Sequence, residues 1–98
     1  MNNPNICSAI LHCKIIEFDY GGYHRIVEPH CYGSSKRNNP VIRAYQIGGG
    51  SKSGNIPSWR LFKREKMSNE VITNQIFGGP RPGYRKGDKD MTLIYCEL

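Results

Sequence analysis

No part of the sequence approaches the ~18 consecutive apolar residues that a membrane-spanning helix needs, so no membrane association is expected. A basic leader is also missing. The chain opens Met1-Asn2-Asn3-Pro4-Asn5, and the apolar stretch that follows is interrupted by His12 and Lys14, so no signal peptide is read and a cytoplasmic location is expected. Metal-ligand spacing is absent: His12-Cys13 and His30-Cys31 are adjacent pairs, which point in different directions on regular structure, and no C-x-x-C occurs. No spacing sets a cysteine against a histidine, and no paired-carboxylate motif occurs. No metal, no cofactor, no catalytic residue and no enzymatic activity are therefore expected. Internal repeats are missing too.

The chain has 98 residues, which bounds it to a single domain, 1–98, with a thin core. Eleven glycines and six prolines fit a compact fold with many turns. The four cysteines, Cys7, Cys13, Cys31 and Cys96, allow disulfides in principle. Without an export signal they are expected to stay reduced and to act as small buried apolar residues.

Acidic residues are scarce, eight against fourteen Lys and Arg, and the excess is unevenly placed. Residues 1–33 carry net −1, residues 34–66 carry +7, and residues 67–98 balance. A positive field confined to the middle third favours a phosphate-bearing or otherwise acidic partner over a merely solvated surface.

Asn3-Pro4 reads as a helix start, and Ile6, Ala9, Ile10 and Cys13 recur at helical spacing, which predicts a short helix over about 4–13. The period then changes to two. Residues 14–20 predict a strand with Ile16, Phe18 and Tyr20 on one face, Gly21-Gly22 a tight hairpin, and 23–27 the returning strand. Pro29 has no N–H, so the ladder should stop, bulge or reach an edge there. A polar turn over 33–40 leads to a third strand at 41–47. A loop of Gly, Ser, Lys and Asn spans 48–57, and a fourth strand covers 59–63. Residues 64–69 form a charged connector with room for one helical turn, 70–77 a fifth strand, and Gly78–Gly83 irregular chain. Residues 91–95 read as a last strand, with a C-terminal helix as the alternative. Five or six short strands separated by turns predict a mainly β fold, a small barrel over about 14–96 whose closure removes exposed edges.

Two stretches carry binding chemistry. Gly48-Gly49-Gly50-Ser51-Lys52-Ser53-Gly54 resembles a phosphate-cradling loop in composition but lacks P-loop spacing, and reads better as a hairpin loop. Aromatic and basic residues interleave through Tyr20, Tyr23, Arg25, Tyr45, Trp59, Arg60, Phe62 and Lys63, as in barrels that stack bases and meet phosphates. Phe62 is assigned to the core; Tyr45 and Arg60 are assigned to a site.

Some of these residues resemble a known family. Ile16-Glu17-Phe18-Asp19-Tyr20 followed by Arg25-Ile26-Val27-Glu28-Pro29 is similar to the opening hairpin of WYL domains. Ile42-Arg43-Ala44-Tyr45 resembles the end of the next WYL strand, Arg60–Met67 resembles an Arg-x-Phe-Arg-Leu-Asp-Arg-Ile segment, and Phe77 falls where an aromatic ends the following strand. Pro40-Val41 stands where the family has Trp-Tyr, and Lys63 and Lys66 stand for arginines. The resemblance implies an SH3-like or Sm-like barrel that binds nucleic acid or nucleotides as a sensor. By the same analogy Arg25, Arg60, Lys63 and Lys66 would meet phosphates, and Tyr45 would stack or donate a hydrogen bond. The expected partner is a nucleotide or single-stranded nucleic acid, with output through a homo-oligomer or a protein partner. The alternative is a protein-interaction module for an acidic or partner surface, showing an apolar patch around Trp59 or Tyr84. A small enzyme using His24 or Glu28 is the third reading.

Overall fold

The computed structural model describes residues 5–98. Helix α1 spans Ile6–Leu11, and its N-cap is Asn5, whose side-chain oxygen accepts from the Ser8 amide at 3.0 Å. The expected start at Asn3-Pro4 lies outside the described residues. The helix ends earlier than 13 because Cys13 turns into the left-handed region, at φ 53°. Six residues cannot hold a helix alone. Ile6, Ala9 and Ile10 bury one face of it against the sheet.

Six antiparallel strands follow: β1 Lys14–Tyr20, β2 Tyr23–Ser35, β3 Pro40–Gly49, β4 Ser58–Lys63, β5 Ser68–Ile76 and β6 Met91–Glu97. A single 3-10 turn, Arg64–Lys66, separates β4 from β5. The sheet order is β4-β3-β2-β1-β5, and β6 pairs with β2 off that path. The last segment is therefore a strand rather than a helix. Strand β2 extends well past the expected Val27. Pro29 does not end it, but the β2–β3 register slips between Pro29 and Cys31, leaving His30 as the extra residue of a bulge. On its other edge β2 pairs with β1 up to Val27 and with β6 from Cys31 onward.

The expected closed barrel is corrected: no ladder joins β4 to β5 among the described residues, so the sheet is open. The end of β4 reaches β1 instead, where the Lys63 amide donates to the Tyr20 hydroxyl at 3.1 Å.

The two faces bury separate clusters. On the inner face Ile16, Phe18, Val27, Ile42, Ala44 and Phe62 pack with α1 and Met67. Phe62 meets Phe18 and Tyr20 edge-to-face, with ring centroids 4.9 and 5.0 Å apart, which places it in the core as expected. On the outer face Cys31, Val41 and Met91 pack beneath Tyr84 and Ile94. Gly33 allows β6 to lie this close, because a Cβ there would come within 2.2 Å of the Leu93 carbonyl. No helix among the described residues is long and apolar enough to cross a membrane.

The cysteines depart from expectation. Cys7 and Cys96 form a disulfide, with Cα atoms 5.7 Å apart, that ties α1 to β6 across 89 residues of sequence. Cys13 and Cys31 are free, and burial pushes the Cys31 thiol up to about 11. Closing a loop of this length in the unfolded chain contributes about 4–5 kcal/mol in the chain-entropy picture. Reduction, or Cys96→Ser, should therefore lower the free energy of unfolding by roughly 2–5 kcal/mol, read from denaturant midpoints with and without reductant. Thiol titration of the denatured, unreduced chain should count two groups, and four after reduction. Four thiols before reduction would contradict the pairing.

Candidate functional site

Alternation along β2, β3 and β4 turns Arg25, Gln46 and Arg60 towards the inner side of the sheet, at the end bounded by the β1–β2 hairpin and the 48–57 loop. Val27 pairs with Gln46 and Ala44 with Arg60, so these positions share the face of Phe62. The Arg25 guanidinium is buried. Its Nε and Nη2 donate to the Tyr20 carbonyl at 3.3 and 3.1 Å, its Nη1 donates to Gln46 Oε1 at 3.2 Å, and the rings of Tyr20, Tyr23 and Phe62 surround it at 5.4–5.6 Å. Gln46 is fully buried, and its amide donates to the carbonyls of Gly48 and Gly50. Arg60 reaches into the loop, where Nη2 donates to the Asn55 carbonyl at 2.7 Å and to the hydroxyls of Ser51 and Ser53 at 3.0 and 3.4 Å. Gly49 at the loop entrance has φ +79° and lies against the His24 carbonyl, where a Cβ would come within 2.0 Å.

Among the described residues neither arginine touches a carboxylate. Arg43, Arg64 and Arg81, by contrast, pair with Asp88 and Asp90, with Glu70, and with Glu28. Burial, and next the neighbouring charge of Arg60, push the Arg25 guanidinium below its ordinary value. Arg60 Nε is buried with no hydrogen-bond partner, the one such side-chain nitrogen or oxygen among the described residues. The site thus holds two cations in a partly dehydrated setting, with a donor still unused.

The five residues expected to bind do not form one patch. Arg25 and Arg60 come together. Tyr45 lies on the outer face, in register with Trp59, whose ring centroid is 5.3 Å away, and under the Arg81 guanidinium at 5.1 Å. Lys63 ends β4 in register with Val41, on the side of Tyr45, and is exposed. Lys66 is exposed on the 3-10 turn beyond. The reason is the two-residue period: Trp59 and Arg60 are neighbours in sequence and must point to opposite faces. Gln46, Ser51 and Ser53 were not singled out as site residues. The signal for Gln46 was available, as the one polar side chain in the inward series Ile42, Ala44, Gln46.

His24 and Glu28, the residues named for a catalytic reading, are separated. His24 lies between Glu17 and Asp19 on the surface, at 2.8 and 3.0 Å. Glu28 is buried and holds Arg81 through two bonds of 2.6 and 2.9 Å. Among the described residues no group of three or more His, Cys, Asp or Glu is placed to hold a metal ion. His30, fully buried at the bulge, donates from Nδ1 to the Glu28 carbonyl at 2.8 Å and accepts the Arg81 amide at Nε2 at 3.1 Å. These bonds hold the neutral ring in one tautomer.

The two histidines should titrate in opposite directions. Hydrogen bonds to Glu17, and then to Asp19, raise His24 above its ordinary 6.5, whereas burial lowers His30 below it. The His24 contribution to stability is full below about 6.5 and is lost as pH rises through its raised value. The His30 contribution is full above about 6.5 and is lost as pH falls towards its lowered value. A proton NMR titration of the ring signals checks both; a His30 midpoint at or above that of His24 would contradict the burial argument.

No family model, no curated protein and no solved structure matches this chain.

Proposed function

We propose that the domain is a ligand-binding regulatory module that takes up the phosphate of a nucleotide or of single-stranded nucleic acid at Arg25 and Arg60, and that it performs no catalysis. One observation carries this reading: two adjacent guanidiniums face inward with no carboxylate on either, and one of them leaves a buried N–H unused. An uncompensated buried charge is costly, and a bound oxyanion would supply both the countercharge and the missing acceptor. The Ser51 and Ser53 hydroxyls add neutral donors beside it. Lys63 and Lys66, exposed and without ion pairs among the described residues, extend the positive surface for the rest of a strand. On this reading the fold is an incompletely closed relative of SH3-like and Sm-like barrels, similar to WYL domains. The strand order supports it, since β5 returns to β1 directly after the 3-10 turn. The cytoplasmic location is the part of the reading that the Cys7–Cys96 bond speaks against.

A second reading, a protein-interaction module, is favoured by the edge strand β5, where Val71 and Ile76 are 56% and 69% exposed.

Titration with free nucleotides and short labelled single strands at two salt concentrations tests the first reading. Affinity for the strands should fall clearly with salt. Arg60→Gln, which keeps a polar side chain at a partly exposed position, should weaken binding at least tenfold with the circular dichroism unchanged. Equal binding by the variant, or salt-independent binding, would reject the assignment. A partner protein retained after nuclease treatment and lost in Val71→Lys would favour the second reading.

A further inference from the structure

The outer face carries a groove that the anion reading does not use. It has a volume of about 690 Å³, lies between Arg43 and Trp59 on one side and the 83–90 segment on the other, and is walled by Tyr84, Arg85, Lys86 and Lys89. Trp59 is held by its indole N–H, which donates to the Pro82 carbonyl at 3.1 Å, and Tyr84 by its hydroxyl, which donates to the Leu98 carbonyl at 3.2 Å. The two rings are nearly parallel, 25° apart with centroids at 6.2 Å. Flat walls set in advance suit a flat ligand, because no side-chain freedom remains to be lost on stacking.

The charges around the rings sort themselves. Asp88 and Asp90 are both engaged by Arg43, at 2.7 Å from Nε and 2.5 Å from Nη2 respectively. The Glu97 carboxylate accepts the Gly87 amide at 3.0 Å. Arg85, Lys86 and Lys89 then have no carboxylate partner among the described residues, and Arg85 and Lys86 are exposed beside the rings. The lining as a whole carries four cations, Arg43, Arg85, Lys86 and Lys89, against Asp88 and Asp90, an excess of +2 that suits a compact, multiply charged group, which phosphate is and a single carboxylate is not.

We propose that this groove is a second recognition site, which binds a nucleotide with its base against Trp59 and Tyr84 and its phosphate at Arg85, Lys86 and Lys89. The site is independent of Arg25 and Arg60, which lie on the opposite face and do not line it. An aromatic acidic peptide is the competing occupant, and it lacks the concentrated charge that this cluster of cations meets.

Trp59 is the only tryptophan, so its fluorescence reports the groove directly. Adenosine monophosphate should quench it saturably, with adenosine and ribose 5-phosphate each at least tenfold weaker. The double variant Arg85→Gln/Lys86→Gln, at exposed positions where folding is not at stake, should weaken the monophosphate at least tenfold and leave adenosine unchanged. Tyr84→Leu should weaken both. Arg60→Gln should leave all of these values as they are, which separates this site from the one on the inner face. Absence of saturable quenching, equal affinity for ribose 5-phosphate, or tighter binding of a Phe- and Glu-containing peptide than of the monophosphate would overturn the assignment.

Discussion

Strand β2 carries three other strands, and the bulge at Pro29 and His30 decides how it can. Pro29 offers no N–H to either neighbour, so the ladder is interrupted at a set point. Before it, the strand's free edge belongs to β1; after it, to β6. The extra residue, His30, uses both ring nitrogens on the backbone, and its carbonyl also accepts the Leu98 amide at 2.9 Å. One irregularity therefore positions the end of β6, the 78–84 segment and the Glu28–Arg81 pair together. Packing of the His30 ring against Trp59, Phe77 and Tyr84 gives the outer face its aromatic floor.

That division into faces also sorts the charge. The middle third of the chain holds an excess of +7, and the last third is neutral overall. In the folded protein the acids of the last third cross over: Asp88 and Asp90 both bind Arg43, and Glu70 binds Arg64. Among the cations left without a carboxylate, Arg25 and Arg60 lie together on the inner face, and Arg85, Lys86 and Lys89 lie on the outer rim. The inner pair is the more demanding energetically, because like charges repel more strongly where water is excluded. Carbonyls, serine hydroxyls and three aromatic rings offset part of that repulsion without cancelling the charge.

Local patterns were legible in the sequence to the extent that they are local. The alternation of Ile16, Phe18 and Tyr20, the Gly21-Gly22 turn and the run from Val41 to Ile47 located strands to within a few residues, and the inward position of Phe62 followed. Pro29 signalled a disturbed ladder, but the choice between an end and a bulge depended on whether β6 could take over the edge, which is a tertiary matter. The cysteine pairing was not legible: four cysteines allow three connectivities, and the bonded pair lies 89 residues apart. The candidate site was legible only in part. Residue type pointed to Arg25 and Arg60, yet counting alternation from Trp59 already separates Tyr45 from Arg60. The groove depends on where the 83–90 segment packs, and irregular chain carries no periodic signal for that.

If Arg25 and Arg60 form one unsatisfied anion site, the arginine side chains can report on it themselves. Nitrogen-15 NMR of the Nε–H groups during titration with inorganic phosphate at constant ionic strength distinguishes site binding from general screening. The Arg60 and Arg25 signals should move together and saturate, while those of Arg43, Arg64 and Arg81, already paired with carboxylates, stay in place. Arg25 and Arg60 signals that do not move, or a uniform unsaturated drift of all seven arginines, would contradict it.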